Sequence, residues 1–213
     1  MTQVYEAPAI EAEPTRVRQM FDTNVFGLFD VVQAFVPLLI AAVPDSDTAP
    51  TIVNVASVLA RLPMPFSSGY NATKAAVSAY SDTLRLELDP LRIRVVTLFM
   101  GEVSTPLMSS TNIRFGENSL YIDVEHKVKE RSTTHAETTM TPRPFAKQVV
   151  SEVLSSKDTS YVWKGTNAFL VWLLNAVGPR KIFDSSMKKA AGLSDAGLVS
   201  KIYHRAQQPA KSL

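Results

Sequence analysis

The sequence predicts an α/β protein with a parallel sheet, and three observations lead to that prediction. Two short and almost continuous apolar runs, residues 51–57 and 93–99, have the composition of strands that are buried on both faces. Residues 69–88 between them follow a helical pattern, and a helix is the usual connection between parallel strands. The chain has 213 residues, of which 46% are hydrophobic, so it is long enough to form one domain with a core.

A long helix is predicted before the first strand. Thr15 can cap it, and its apolar residues recur with the helical period as far as residue 43. Asn24 lies inside this helix, where asparagine is unfavourable. It therefore suggests either a local role, such as holding a water or bending the helix, or an ordinary surface position. Residues 44–50, with a proline at each end, predict a loop before the strand.

The second half of the chain predicts less regular structure. Residues 104–141 are rich in serine, threonine and charge, and we expect a long irregular segment of the kind that forms lids. Residues 141–156 then predict a helix with proline in its first turn, and residues 159–163 a third strand.

The most apolar segment of the chain is residues 168–174. Lys164 precedes it and Arg180 follows it, a pattern that suits a helix lying at a membrane interface. A helix packed in the core or against a second copy has the same composition, and the sequence leaves both alternatives open. We expect the tail, residues 185–213, to be loosely held, and we treat residues 160–213 as a C-terminal extension of a single partial domain.

Three polar residues form the motif with the clearest chemistry. Tyr70 and Lys74 are spaced to share one helix face, and Ser57 stands at the end of the first predicted strand. A phenol is a weak acid at neutral pH, and we expect the Lys74 ammonium to lower the pKa of Tyr70. Ser57 could hold a substrate oxygen while Tyr70 gives or takes its proton. The spacing from Tyr70 to Lys74 also arises by chance in helices, but the preceding strand and serine favour the chemical interpretation.

Composition excludes several other classes of function. The chain has no cysteine, so disulfides and thiolate metal sites are excluded. Its three histidines, His126, His135 and His204, have no metal-binding spacing, and we expect no metal. The net charge is +2 without a basic stripe, so no nucleic acid partner is expected. The first fourteen residues do not resemble a signal peptide, and no apolar run reaches the roughly 18–20 residues needed to span a bilayer.

A chain with this motif needs a hydride donor, which the protein itself cannot supply. Dinucleotide-binding folds usually hold such a cofactor at a glycine-rich turn, but the sequence contains no G-x-x-x-G-x-G or G-x-G-x-x-G. Its first glycine is Gly27. We therefore expect the chain to lack the first strands and the phosphate-binding loop of that fold.

With Ser57, Tyr70 and Lys74 in these positions, the sequence resembles the short-chain dehydrogenases/reductases, which have a Rossmann-type, doubly wound parallel sheet. Asn24 matches the family's helix asparagine, which completes a catalytic tetrad and supports a proton relay through water. Gly101, Val103 and Thr105 match the family's nicotinamide loop, in which Met100 replaces a proline.

Within the family, the Gly-Glu-Val variant of that loop and the long tail are most similar to fungal acyl-dihydroxyacetone-phosphate reductases and related reductases of lipids or secondary metabolites. The resemblance implies NADP(H), or else NAD(H), held by Tyr70, Lys74 and the loop. The family's substrate-covering segment corresponds to residues 104–141, so Leu107, Met108 and Tyr121 are candidate pocket residues.

The sequence thus predicts a cytoplasmic NAD(P)H-dependent oxidoreductase that interconverts a carbonyl and a secondary alcohol. Its substrate would be a small molecule, a lipid or a secondary metabolite. Peripheral membrane contact through residues 168–174, at the endoplasmic reticulum or a lipid droplet, and homo-oligomer formation are further expectations. The alternative prediction is an inactive fragment of such an enzyme, or a pseudoenzyme that depends on a partner.

Overall fold

The computed structural model describes residues 2–155 and 159–208, without the side chains of Met108 and Asn112. In this part of the chain, three parallel strands form one sheet in the order β1, β2, β3. They are β1 (Thr51–Val55), β2 (Arg94–Met100) and β3 (Tyr161–Lys164). Val53 is paired with Val96, and Leu98 with Val162. The predicted α/β class and parallel sheet are confirmed. The absence of earlier strands of the fold stays a prediction.

Eight α-helices occur among the described residues. They are α1 (Pro14–Phe21), α2 (Gly27–Ala42), α3 (Ser68–Leu88), α4 (Glu125–Thr138), α5 (Pro142–Val153), α6 (Ala168–Val177), α7 (Asp184–Ala190) and α8 (Ala196–Ala206). A π-helical segment, Asp22–Phe26, joins α1 to α2 and makes one continuous helical stretch where the sequence predicts a long helix. The predicted end of α5, at residue 156, lies outside the described residues, and α5 ends at Val153.

Helices cover both faces of the sheet. On one face, Val95 packs with Val32 of α2 and Leu84 of α3. On the other face, Val96 and Leu98 pack against α5. Alternate residues of β2 therefore face opposite helical layers, which is the doubly wound arrangement, and this explains the almost continuous apolar sequence of the strand.

The β1 edge of the sheet has no strand beyond it in the described part of the chain. Val53 and Val55 of β1 are exposed, whereas Asn54 between them is buried and donates a hydrogen bond to Ser81 of α3. An exposed strand edge of this kind can pair with another chain.

The helical stretch Pro14–Asp45 is long and apolar enough to cross a membrane, judged by length and composition alone. Only 11% of its most apolar 18-residue window is buried in the structure. The expectation that no such segment exists is therefore wrong. That expectation is based on uninterrupted apolar runs. Asp30 interrupts every 18-residue window of this stretch, so it contains no such run.

Two regions are more regular than the sequence predicts. Residues 104–141 contain the four-turn helix α4, whose residues are polar except for a few such as Val128, so no apolar period marks it. The tail contains α7 and α8, and Leu198 and Ile202 of α8 pack against the cluster that contains Val128. The expectation of a loosely held tail is wrong for residues 185–208, and residues 209–213 lie outside the described part. Residues 160–208 begin with the third strand of the sheet and continue into α6–α8.

Candidate active site

Ser57 lies at the carboxyl end of β1, where the strand passes into a short 3-10 turn. It is buried, and its Oγ accepts a hydrogen bond of 3.1 Å from the main-chain N–H of Leu59. The same hydroxyl lies 3.5 Å from the carbonyl oxygen of Met100, the last residue of β2. Ser57 is therefore fixed at the sheet edge where ligands of open α/β sheets bind.

Tyr70 and Lys74 lie one turn apart on the face of α3 that meets the sheet, as their spacing predicts. Their exposed fractions are 4% and 3%. The Lys74 Nζ donates a hydrogen bond of 2.9 Å to the carbonyl oxygen of Val55 and lies 5.7 Å from the centroid of the Tyr70 ring. Ser57 lies close enough to the Tyr70 hydroxyl to lower its pKa. The structure thus brings all three predicted side chains together.

The ionisation of this group differs from the sequence-based expectation. Burial raises the pKa of Tyr70 to about 12, and the nearby Ser57 only partly opposes this rise. Burial also lowers the pKa of Lys74 to about 8. The expectation that Lys74 lowers the pKa of Tyr70 is therefore wrong for this structure, because loss of solvent dominates both groups. Tyr70 holds its proton at neutral pH.

Asn24 lies in the π-helical segment, so the helix is locally irregular at this residue. Its side-chain Oδ1 accepts a hydrogen bond from the main-chain N–H of Gln3 at 2.8 Å, and its Nδ2 donates to the Gln3 carbonyl at 2.8 Å. Nδ2 also lies 3.2 Å from Oγ1 of Thr73, the residue before Lys74. Asn24 is thus a buried link between the N-terminal segment and α3, and not a surface residue.

The loop from Gly101 to Thr105 is fixed on both sides by main-chain hydrogen bonds. Glu102 and Thr166 exchange two such bonds of 3.0 Å, and the N–H of Ser104 donates to Met140. A Cβ atom on Gly101 would lie 2.4 Å from the carbonyl oxygen of Thr166, so only glycine fits there. The loop is therefore held by its backbone, although Met100 precedes it in place of proline.

A cavity of about 750 Å³ opens beside Ser57 and Tyr70. Gly101, Val103 and Thr105 form part of its wall, whereas Lys74 and Asn24 lie behind that wall. The wall also includes apolar residues, among them Leu59, Leu62, Met64, Leu107 and Met187, and charged ones, namely Glu102, Lys127, Glu130, Arg131, Lys189 and Asp195. The cavity can therefore hold a molecule with both apolar and polar parts.

The candidate pocket residues differ in their positions. Leu107 lines the cavity, as expected. Tyr121 does not belong to the wall; it packs edge-on against Phe66, with ring centroids 5.5 Å apart. The side chain of Met108 lies outside the described part of the structure.

Helix α4 supplies cavity residues that the sequence analysis missed. Arg131 lines the cavity and forms an ion pair with the buried carboxylate of Glu6, which also accepts a hydrogen bond from Ser67. The His135 Nε2 lies 3.3 Å from the Val103 carbonyl and joins α4 to the loop. The absence of an apolar period hid α4, and no sequence signal links Glu6 to Arg131, since 125 positions separate them.

No group of histidine, aspartate and glutamate residues that could hold a metal ion occurs within residues 2–155 and 159–208. Tyr70 and the Gly101–Thr105 loop line the cavity and could hold a cofactor there, whereas Lys74 is buried one turn from Tyr70 and does not line the cavity.

A sequence model of the short chain dehydrogenase family matches residues 4–114. The chain belongs to this family. Short-chain dehydrogenase srdE of Neurospora crassa is 32% identical to it over 196 residues, covering 90% of this chain and 66% of that protein. Short-chain dehydrogenase ptmH of Penicillium ochrochloron is 32% identical over 192 residues, covering 89% and 68%. Short-chain dehydrogenase anuB of Penicillium roqueforti is 34% identical over 184 residues, covering 86% and 61%.

Solved structures of short-chain dehydrogenases share the fold. One from Burkholderia cenocepacia, solved in complex with NADP, has a TM-score of 0.58 and 23% identity, covering 88% of this chain and 65% of that one. One from Streptomyces avermitilis has a TM-score of 0.63 and 19% identity, covering 94% and 68%. The predicted family and its resemblance to fungal members are thus confirmed. It spans about three fifths to two thirds of the length of the fungal relatives.

Proposed function

We propose that this short-chain dehydrogenase is a nicotinamide-dependent reductase that converts a carbonyl into a secondary alcohol. The observation that carries the proposal is that Ser57 and Tyr70 line the same cavity, with Lys74 one helical turn from Tyr70. A hydroxyl and a protonated phenol at one point can both contact the same carbonyl oxygen.

In this proposal, Ser57 donates a hydrogen bond to the substrate oxygen and orients it. Tyr70 donates its proton to the same oxygen as negative charge develops there. Burial raises the pKa of Tyr70 to about 12, so the phenol is protonated at neutral pH, the state that a proton donor in carbonyl reduction requires. A bound nicotinamide cofactor would supply the hydride to the carbonyl carbon. Asn24 is proposed to support the return of a proton to Tyr70 through water.

The cofactor site would combine α3 with the Gly101–Thr105 loop. An ammonium has three donors, and Lys74 uses one of them on Val55, so two remain for the ribose hydroxyls. Gly101 and Val103 line the cavity on a loop that main-chain hydrogen bonds hold in place, so we propose that the nicotinamide ring packs against this loop. We favour NADP(H), in line with the resemblance and with the Burkholderia relative that binds NADP. NAD(H) is the alternative, since a Brucella melitensis reductase of the same fold was solved with NADH.

We propose a small-molecule substrate, either a lipid or a secondary metabolite. The mixed wall of the cavity supports this class, because apolar residues lie near Ser57 and Tyr70 while Arg131 and Lys189 supply charge farther along. A cytoplasmic location with peripheral contact at the endoplasmic reticulum or lipid droplets, and self-association through the exposed apolar faces, belong to the same proposal.

A second function has support from the sheet. The unpaired edge of β1, the exposed Val53 and Val55, and the absence of a glycine-rich phosphate motif favour an inactive fragment or a pseudoenzyme that needs a partner. Such a chain would keep the polar group around Tyr70 without binding a cofactor.

Titration of the purified chain with NADPH distinguishes the two functions. Quenching of Trp163 and Trp172 fluorescence and the shift in melting temperature report binding. Saturable binding in the micromolar range, followed by turnover that the Tyr70→Phe variant loses, supports the reductase. A flat titration on a folded chain supports the pseudoenzyme and contradicts the reductase.

A further inference from the structure

The outer side of α6 is apolar and exposed. Ala168 and Val171 are the buried residues of this helix, and they pack against the cluster around Val58. Phe169 is 67% exposed and Trp172 is 42% exposed, and Leu170, Leu173 and Val177 are exposed with them. Within the described part of the chain, residues 168–174 are therefore not a core helix. The exposed side of α6 forms an apolar surface of at least five large side chains.

This exposure is separate from the open edge at β1. Helix α6 follows β3, which lies at the opposite side of the sheet from β1. The buried side of α6 packs on Val58, just after β1, whereas α2 packs on Val95 and Leu84 in a separate cluster. The exposed face of α6 is therefore a surface distinct from that of α2.

A second cavity, of about 700 Å³, lies beside the last turn of α6. Three cations line it, Arg61, Arg180 and Lys181, and among the residues that the structure describes Asp184 is the one carboxylate in its wall. Within the described residues, none of these cations forms an ion pair with a carboxylate. Asn71 also lines this cavity, and its Oδ1 is buried without a hydrogen-bond partner in the described part. The cavity wall is thus basic, although the Arg61 guanidinium also donates a hydrogen bond of 3.4 Å to the Ser78 hydroxyl.

We propose that the α6 surface and this basic cavity together bind an anionic phospholipid surface. The exposed side chains of α6 would enter the interfacial layer, and Arg61, Arg180 and Lys181 would bind phosphate groups. An apolar helix face with tryptophan beside basic residues is the combination that binds anionic membranes. Charge argues against a second copy as the occupant, because a symmetric contact through α6 would bring two basic cavities to one interface.

The proposed lipid surface lies close to the candidate active site. Leu59 and Leu62 line both cavities, so one layer of side chains separates them. An apolar substrate dissolved in the lipid would have a short path to Tyr70. Lipid binding does not depend on reductase activity. A chain that does not bind lipid could therefore still catalyse the proposed reduction.

The experiment is co-sedimentation of the full chain with phosphatidylcholine vesicles, with and without added phosphatidylserine. We expect binding to the anionic vesicles only. Replacing Arg180 and Lys181 with glutamine should weaken it about 30-fold, since each basic side chain near an anionic surface contributes about fivefold. Phe169→Ser should also weaken binding. Phe35→Ser on α2 is the matched control, because Phe35 is 57% exposed and lies at the other edge. Unchanged melting temperatures would show that the variants fold.

Several results would overturn the proposal. Equal binding to both vesicle types would show that the cations play no part. Equal loss in the Phe169→Ser and Phe35→Ser variants would show that α6 is not the contact. Binding of glycerol 3-phosphate to the cavity, with no binding to vesicles, would assign it to a soluble phosphate ester. A dimer that Phe169→Ser dissociates, again without vesicle binding, would assign α6 to self-association.

Discussion

The ammonium of Lys74 donates a hydrogen bond of 2.9 Å to the main-chain carbonyl of Val55, the last residue of β1. This bond fixes the second turn of helix α3 to the end of the strand that leads into Ser57. The strand end and the helix therefore hold the Ser57 and Tyr70 hydroxyls close together. The buried ammonium of Lys74 stabilises this arrangement, in addition to its proposed contact with the cofactor.

We expect Tyr70→Phe to lower kcat for carbonyl reduction by about 10²–10⁴-fold, because proton donation by a positioned side chain contributes that much. Stability should change little, since the ring remains. The measurement is NADPH oxidation with a panel of ketones. Tyr80→Phe is the matched control, because Tyr80 lies on the same helix but stacks on Phe29 of α2, away from the cavity. Equal loss in both variants would contradict the role of Tyr70.

We expect the free energy of unfolding to rise with pH between about pH 8 and pH 10. The folded pKa of Lys74, about 8, is below its unfolded value, so in this range the unfolded chain binds more protons and stability increases with pH. The rise from pH 7.5 to pH 9.5 should be about 2 kcal/mol. Above pH 10 the sign reverses, because the folded pKa of Tyr70, about 12, is above its unfolded value.

Urea unfolding of the Lys74→Met variant at both pH values tests this assignment. The variant should lose the rise, whereas Lys147→Met, on the exposed side of α5, should keep it. A rise that survives in Lys74→Met would mean that another group causes it.

We expect Gly101→Ala to destabilise the fold by about 1–3 kcal/mol, because its Cβ would lie 2.4 Å from the Thr166 carbonyl oxygen and the loop would have to move. Binding of NADPH should weaken with it. Gly27→Ala is the control, since a Cβ there lies 3.4 Å from the nearest atom. Thermal unfolding measures the first effect and Trp fluorescence the second. A variant with the parent's melting temperature would show that the loop is not held as described.

We expect Arg131→Met to cost about 3–5 kcal/mol, because it leaves the buried carboxylate of Glu6 without its cation. Lys127→Met removes an exposed ion pair on the same helix and should cost less than about 1 kcal/mol. Urea unfolding compares the two variants. If both cost the same small amount, the Glu6–Arg131 pair does not hold α4 against the cavity.

Much of the fold was predictable because its signals are local. Residues 51–57 and 93–99 are apolar enough to be strands buried on both faces, and the spacing from Tyr70 to Lys74 guarantees a shared helix face. The family follows from the same residues. In contrast, α4 has no apolar period. Only Val128 and Ser132 of its residues are buried, and most of its other side chains are polar.

The pKa values of Tyr70 and Lys74 could not be predicted from their spacing. Proximity alone suggests that the cation lowers the pKa of the phenol, but burial acts on both groups and is the larger effect. The Glu6–Arg131 ion pair was hidden for a related reason, since it joins residues 125 positions apart.

Sequence alone was enough to establish the α/β class, the position of Ser57, Tyr70 and Lys74 on neighbouring elements, and the family, because each depends on residues close together in the chain. Only the tertiary structure could place α4 over the cavity, bury Lys74 against Val55, and leave the face of α6 exposed beside basic residues. These features depend on contacts between segments that are distant in the sequence, because those contacts decide which side chains are buried. The local periodicity of the sequence does not predict such contacts.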